Sequence, residues 1–360
     1  MTTETLEIRQ LARQFAQSEL RPHVERWDHE GSVDSPAFEQ LAELGFFGML
    51  VPEAYGGMEF DLPTYAAVLE ELAWGEPSVA LTVATTSLVV DLIVHHGSDS
   101  QKQQWLEPIA RGETLACFAL SEEAGSDPGS VATTATRVDE QWILSGTKMW
   151  VTNGRTAALT LVVARTATGL AAFLVPTDAA GYSAAQRATT MGLRPVEIVT
   201  VELREVRVAA DAMLALAEPA VLFAAPGALV ALGAIAVGIA QAAFEYALGY
   251  ADEREQFGAK LRSYEGLQFK LADMATRTAA ARLLVQMAAT EGTVAAAAMA
   301  KVFASETAMW VTTQAVQIYG GYGYMRDYPV EKLMRDAKAT EIVAGSNEQL
   351  RVLIAGGLYQ

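Results

Sequence analysis

Along the first 110 or so residues, apolar side chains recur at helical spacing, broken by turn clusters at Gly31-Ser32, Pro52 to Gly57, Gly75 to Pro77 and Gly97-Ser98. Short helices joined by tight loops are predicted there. Near Leu115 the character changes. As far as about Val208 the chain carries β-branched or alternating runs, Trp142-Ile143-Leu144, Leu159 to Ala164, Ala171 to Val175 and Ile198 to Leu203, separated by Gly, Asp, Asn and Pro. That pattern predicts a β domain. After Asp211 long Ala-rich helical patterns return, over about 216–252, 264–290, 293–319 and 346–357, with almost no proline inside. Four such helices make a bundle. No internal repeat or low-complexity linker divides the chain. A helical domain (1–114), a β domain (115–211) and a helical bundle (212–360) are therefore expected to form one unit.

With 51% hydrophobic residues, 360 positions suffice for two or three subdomains sharing a core. A formal charge of −17 repels phosphate backbones and anionic lipid, so nucleic acid is not an expected partner. Ala220 to Ala240 is uncharged and long enough to span a membrane. It is nevertheless rich in Ala and Gly, has Pro226 near its start, is flanked by Glu218 and Glu245, and lacks a cluster of Lys or Arg to orient it. A helix buried among helices has the same composition, and no membrane partner is expected. The amino terminus mixes acids and bases at helical spacing and reads as mature helix, not as a secretory signal. The one cysteine, Cys117, excludes an intramolecular disulfide and leaves no Cys-rich metal motif. It is expected to be a small buried apolar residue in a cytoplasmic protein.

Candidate chemistry lies in two segments of the β block, Ala119-Leu120-Ser121-Glu122-Glu123-Ala124-Gly125-Ser126-Asp127 and Lys148-Met149-Trp150-Val151-Thr152-Asn153-Gly154. Taken singly, Gly125-Ser126-Asp127 reads equally as a plain turn and Trp150 as a core aromatic. Together, in this order and spacing, they resemble the paired signature of the acyl-CoA dehydrogenase family. The resemblance runs over nearly the whole chain. It takes in Val51-Pro52-Glu53-Ala54-Tyr55-Gly56-Gly57, Glu253-Arg254-Glu255-Gln256-Phe257-Gly258, Gln317-Ile318-Tyr319-Gly320-Gly321-Tyr322-Gly323-Tyr324 and Tyr328-Pro329-Val330-Glu331-Lys332-Leu333-Met334-Arg335-Asp336-Ala337-Lys338.

The resemblance implies an amino-terminal helical domain, a middle β-barrel and a carboxy-terminal four-helix bundle with FAD held between them, the order that periodicity gives independently. It implies that Leu120 and Ser121 contact the flavin pyrimidine edge, that Trp150 packs on the isoalloxazine and that Thr152 hydrogen-bonds near N5. Arg254, Phe257, Gln317 and Gly321 would serve the FAD of a neighbouring subunit, with Arg254 on the pyrophosphate. Read without the family, Arg254 is a solvated charge at a helix end. Ser346 and Glu348 complete the implied cofactor contacts, and Ser126, Ala84, Thr85 and Leu88 the substrate contacts. A site shared between chains implies a homodimer or homotetramer. The Gly-Gly-Tyr-Gly run follows a helix and is no dinucleotide fingerprint.

The family's reaction removes an α-proton from an acyl thioester while the β-hydrogen leaves as hydride to N5, and a carboxylate in a dry pocket does the first job. In most members that base is the Glu of Tyr-Glu-Gly-Thr; here the segment reads Val343-Ala344-Gly345-Ser346 and the base position is Ala344. Other members carry the Glu at the start of the first bundle helix beside an Arg, where this chain has Ala228 and Leu229. The Ser121 to Asp127 loop is one residue shorter than usual, and Glu265 replaces a Gln that normally supports the neighbour's cofactor.

Two acids remain to be weighed. Glu341 lies one helical turn before Ala344, although Glu is common there in members that have a separate base. Asp91 interrupts the apolar run from Leu88 to Val94; it either binds a polar substrate group as a buried acid or pairs locally. His95 and His96 read as partly exposed loop residues. Three functions follow. One is a flavoenzyme that oxidises an acyl thioester, on CoA or an acyl carrier protein, and passes electrons to an electron-transfer flavoprotein or to oxygen. Another is a silent subunit completing a shared FAD site in a heteromer with a related chain. The third is a flavin oxidase or monooxygenase on the same scaffold.

Overall fold

The computed structural model describes residues 2–216 and 225–358. Six helices come first: α1 (Thr3–Phe15), α2 (Val24–Glu30), α3 (Ser35–Glu43), α4 (Leu62–Gly75), α5 (Pro77–His96) and α6 (Asp99–Ala110). The turn clusters fall at their ends. Gly31 closes α2 in the left-handed conformation with φ 73°, which a Cβ would strain. Between α4 and α5 the chain turns at Glu76, whose carboxylate caps Ser78 N at 3.0 Å, with Pro77 opening the next helix. Ser98 and Gln101 form a capping box on α6. Not all of these helices are short, since α5 runs for 20 residues. It is buried on nearly every side, so it has no polar face from which its length could be read.

The middle of the chain is a curled seven-stranded sheet of β1 (Ala116–Ala119), β2 (Thr134–Val138), β3 (Gln141–Thr152), β4 (Leu159–Thr166), β5 (Gly169–Pro176), β6 (Tyr182–Ala184) and β7 (Ile198–Ala209). Its order is β1-β4-β2-β3-β7-β6, with β5 antiparallel to β4 along the whole of β4. Every run singled out for its alternation lies within one of these strands. Alternate residues such as Leu144, Val162, Phe173 and Val201 meet inside, where Cys117 is also fully buried.

Five helices follow: α7 (Pro226–Glu253), α8 (Glu265–Glu291), α9 (Val294–Tyr319), α10 (Pro329–Thr340) and α11 (Asn347–Gly357). A small hairpin, β8 (Glu255–Gln256) and β9 (Ala259–Lys260), joins α7 to α8. The first bundle helix was expected from about 216; residues 217–224 lie outside the described ones, and the described helix opens at Pro226. Helix α10 is additional to the four expected. Its inward face includes Lys332 and Asp336 beside Val330, Leu333 and Ala337, so counting apolar positions does not reveal it. Among the described residues, α5, α7 and the stretch 294–324 are long and apolar enough to cross a membrane, yet 78%, 78% and 61% of their apolar windows are buried inside the protein.

Two buried lysines fix the parts that surround the interior cleft. Lys332 Nζ lies 2.9 Å from Glu76 Oε2 and 2.6 Å from Asp336 Oδ2, while Asp336 Oδ1 accepts Leu193 N at 2.6 Å. One ammonium thereby joins the α4–α5 corner, α10 and the segment leading into β7. Burial alone would discharge it, but the two carboxylates hold its pKa above the usual lysine value. Lys301, on α9, donates to Gly345 O at 2.8 Å and Asn347 Oδ1 at 3.0 Å, and Asn347 Nδ2 donates to Ser305 Oγ at 3.0 Å. Burial pushes Lys301 down to about 8, against the pull of Glu341, Glu348 and Glu306.

Lys332→Met leaves two carboxylates buried without their cation and is expected to cost about 3–5 kcal/mol in urea unfolding; Arg26→Ala, which breaks the exposed pair with Asp34, should leave the midpoint in place. Lys301 gives a pH signature of defined sign. Its folded pKa is depressed, so the cost of charging it is full below pH 8 and is relieved as pH rises toward the ordinary value of 10.5. The stability of the native protein relative to Lys301→Met should climb across that window, and a flat difference between the two urea midpoints from pH 7.5 to 9.5 would contradict this account.

Candidate active site

A cleft of about 600 Å³ opens where the three parts of the chain meet. One wall is α5, which presents Leu81, Ala84, Thr85 and Leu88, spaced to lie on one helical face. A second is the start of α7, with Ala228, Leu229 and Leu232. The sheet contributes Leu120 and Ser121 after β1, Ser126 on the following loop, and Met149, Trp150 and Thr152 on β3. Ile342 to Gly345 and α11 close the cleft. Asn153 Nδ2 donates to Thr82 Oγ1 at 3.2 Å, which ties the end of β3 to α5 behind the lining.

The sheet side is shaped by a bulge. Pairing of β3 with β7 slips between Lys148 and Val151, and within that slip Trp150 takes φ 56°, an unfavourable conformation for a bulky side chain. The indole is thereby delivered into the cleft with 57% of its surface exposed. Lys148 points the other way and is fully buried, donating to Glu122 Oε1 at 2.7 Å and Leu120 O at 3.0 Å. Met149 N donates to Ser121 O at 2.8 Å. Glu122 also accepts Ala132 N at 2.6 Å and Thr133 N at 3.0 Å. Burial opposes the charge on this carboxylate, but Lys148 and the donors at Thr133 and Ala132 outweigh it and hold the pKa at about 2. The loop closes tightly because Glu122 and Gly125 exchange two backbone hydrogen bonds of 2.9 Å.

Ala344 lines the cleft with φ 55°, followed by Gly345 at φ 89°. Its methyl, with Ala228 and Leu229 of α7, gives this end no titratable group. Among the described lining residues Asp127 alone is ionisable. It is exposed, and its Oδ1 accepts Gly129 N at 2.7 Å.

The two acids weighed from the sequence are absent from the lining. Asp91 is not the buried acid of the first alternative: its side chain is 30% exposed and its Oδ1 lies 3.2 Å from His95 Nδ1, a local pair one helical turn on. The hydrogen bond to Asp91 pushes His95 up to about 9. His95 and His96 form the last turn of α5, with His95 exposed. Glu341 pairs with Lys338 at 2.5 Å. Ser346 is occupied as the N-cap of α11, and Glu348 is exposed in that helix's first turn.

A second hollow, of about 510 Å³, lies at the far end of α7. It gathers Arg254 and Gly321 with Tyr250, Tyr319 and Tyr322. Tyr250 and Tyr319 stack at 4.0 Å, and the Arg254 guanidinium sits 5.3 Å over Tyr322. A Cβ added at Gly320 or Gly321 would meet nothing within 4 Å, so the backbone there is open to a ligand. Gln317 is exposed at the end of α9 and Phe257, 96% exposed, sits at the tip of the β8–β9 hairpin. Neither lines the hollow. Sequence reading passed over the tyrosines and the Lys148–Glu122 pair, although most of these residues stand inside the segments already singled out.

Comparison with known proteins agrees with this geometry. Family models described as acyl-CoA dehydrogenase N-terminal, middle and C-terminal domains match residues 2–113, 117–206 and 229–359. The chain is 38% identical to the probable acyl-CoA dehydrogenase YngJ of Bacillus subtilis, over 100% of this chain and 99% of that one. It superposes on butyryl-CoA dehydrogenase from Megasphaera elsdenii with a TM-score of 0.96, at 35% identity over 100% of this chain and 99% of that chain. A glutaryl-CoA dehydrogenase from Mycobacterium smegmatis, solved in complex with FADH2, matches with a TM-score of 0.95 at 29% identity, covering 99% of this chain and 95% of that chain. Helical domain, curled sheet and helical domain, in that order and at full length, make this chain a member of the acyl-CoA dehydrogenase family.

Proposed function

We propose that this chain binds FAD and an acyl thioester in the cleft as an acyl-CoA dehydrogenase-like flavoenzyme, with the carboxylate that ordinarily takes the α-proton replaced by the methyl of Ala344. The observation that carries this reading is an exposed aromatic face and hydroxyl on the sheet side of a cleft whose far end, at Ala344, holds no titratable group. Trp150, forced outward by the bulge, offers a flat aromatic face, and Thr152 stands two residues away on the same strand. Leu120 and Ser121 are held at the side of that face by Lys148. Bound FAD would supply the two-electron acceptor. The protein's own work is then to orient the thioester against the Trp150 side of the cleft and keep water from it. The wall at Ala344, Ala228 and Leu229 has no group to accept a proton. The preferred thioester on this reading has an α-carbon acidic enough to ionise without a strong base, whether CoA or a carrier protein bears it.

A second reading draws on the hollow at Arg254. Its guanidinium, tyrosine walls and open glycine floor suit a phosphorylated, planar ligand. With Phe257 projecting beside it, the hollow is suited to the cofactor of an adjoining chain. A protomer that has kept this half and lost the base is what a silent partner in a heteromer requires.

The two readings separate on purification. A yellow homo-oligomer that bleaches anaerobically with an acyl thioester supports the first, whereas a colourless protein that takes up FAD only with a related second chain supports the silent subunit. Ala344→Glu is expected to raise turnover on butyryl-CoA by about 100-fold or more, the scale of a positioned general base; a folded, FAD-loaded variant with no gain would refute the role given to that position. Arg254→Ala should weaken FAD retention about 10- to 100-fold by equilibrium dialysis, the range for a lost charge-assisted hydrogen bond, and unchanged retention would remove the pyrophosphate role.

A further inference from the structure

We infer that Asn153 and Thr82 form a positioning pair: by tying the end of β3 to α5 they aim the Thr152 hydroxyl at the cleft, and through it they set the reduction potential of the flavin. The inference rests on the FAD reading above and adds to it two residues that stand behind the lining. Each is the chain neighbour of a lining residue, Asn153 of Thr152 and Thr82 of Leu81, and neither lines the cleft itself. Both are buried, and Asn153 Nδ2 donates to Thr82 Oγ1 at 3.2 Å. Thr82 is free to accept because its own hydroxyl proton goes to Ser78 O, at 3.1 Å, within α5.

The backbone and the side chain of Asn153 have separate tasks. The backbone takes φ 57°, which Asn tolerates better than most residues. Its N–H donates to Glu197 O at 2.8 Å, and its carbonyl accepts Thr156 N at 3.1 Å and Ala157 N at 2.8 Å, so the turn that ends β3 closes without help from the amide group. The Glu197 carboxylate reinforces that turn by accepting Arg155 N at 3.1 Å and Thr156 N at 3.2 Å. What the amide fixes is the approach of the strand end to α5. Thr152, the last residue of β3, stands at that junction. Its backbone is held in register with Ile198, while its hydroxyl faces the cleft and makes no hydrogen bond among the described residues. A hydroxyl aimed at a flavin ring nitrogen stabilises one redox form over the other, so a small movement of the strand relative to α5 is read as a change in potential.

The test is a redox titration of the full-length protein loaded with FAD, in which the ratio of reduced to oxidised flavin is read at one applied potential. Thr152→Val, which removes the hydroxyl and keeps the shape, gives the reference displacement. Asn153→Gly removes the amide without straining the left-handed turn, and Thr82→Val removes its acceptor. Each of these two is expected to displace the ratio in the direction of Thr152→Val by about 3- to 10-fold, the scale of one neutral hydrogen bond. Thr82→Ser keeps the acceptor oxygen and should match the native protein. Added to Thr152→Val, Asn153→Gly should produce no further displacement, because the group it positions is gone. A native ratio in both Asn153→Gly and Thr82→Val would overturn the role of the pair and leave the flavin reading intact, as would a displacement by Asn153→Gly that is undiminished in the Thr152→Val background. No displacement in Thr152→Val itself would remove the flavin contact of Thr152 and this inference with it. Thr82→Val makes the comparison from the other partner, and decides the question if Asn153→Gly does not retain FAD.

Discussion

The cleft depends on one buried ion pair, Lys148 with Glu122. Two stretches of chain, the loop after β1 and the bulge in β3, have to lie side by side to make its floor. Lys148 reaches back from the bulge to both Leu120 O and Glu122, and Glu122 in turn receives the backbone of Ala132 and Thr133. An ammonium and a carboxylate out of water are tolerated only when nearly all their hydrogen-bonding capacity is used. That requirement is what makes the pair restrictive: few backbone arrangements satisfy it, and this one turns Lys148 inward and Trp150 outward on adjacent parts of one strand. The left-handed φ of Trp150 is strain sustained by that surrounding lattice.

Much of this was legible in the amino-acid order, and the boundary of what was legible has physical causes. Turns announced themselves because Gly31, Ser98 and Pro77 each perform a local task that few other residues can. Strands announced themselves because one face of the curled sheet is dry. Leu120, Ser121, Trp150 and Thr152 were singled out by resemblance to a family signature, not by their types taken singly, and the cleft brings them together. What escaped was whatever hides its polarity inside. Helix α10 buries Lys332 and Asp336 on the face where an apolar stripe would be sought. Helix α5 is packed on nearly all sides and has no stripe at all. Asp91 looked like an acid sunk in an apolar run, but sequence spacing does not show that His95, one turn later, stands ready to pair with it.

The loop carrying Ala344 shows how the fold and the chemistry come apart. Its left-handed turn is set by Lys301 below it, which grips Gly345 O and Asn347 Oδ1, and by the capping box that Ser346 and Gln349 build on α11. None of those contacts involves the side chain at 344. The turn is therefore not held by the side chain at 344, and a larger one there would take its space from the cleft that Ala344 lines. A carboxylate at that spot would stand near Leu229 and Leu350 with no cation in the lining to neutralise it, a desolvation cost that a methyl avoids. With a methyl there, this end of the cleft avoids that cost and offers no group to accept a proton, the direction in which stability and activity commonly trade. The bulged Trp150, the Lys148 that braces the loop beside it and the open glycines near Arg254 belong to a fold whose shape does not depend on the side chain at 344, so the chemistry at that position and the architecture around it are separable.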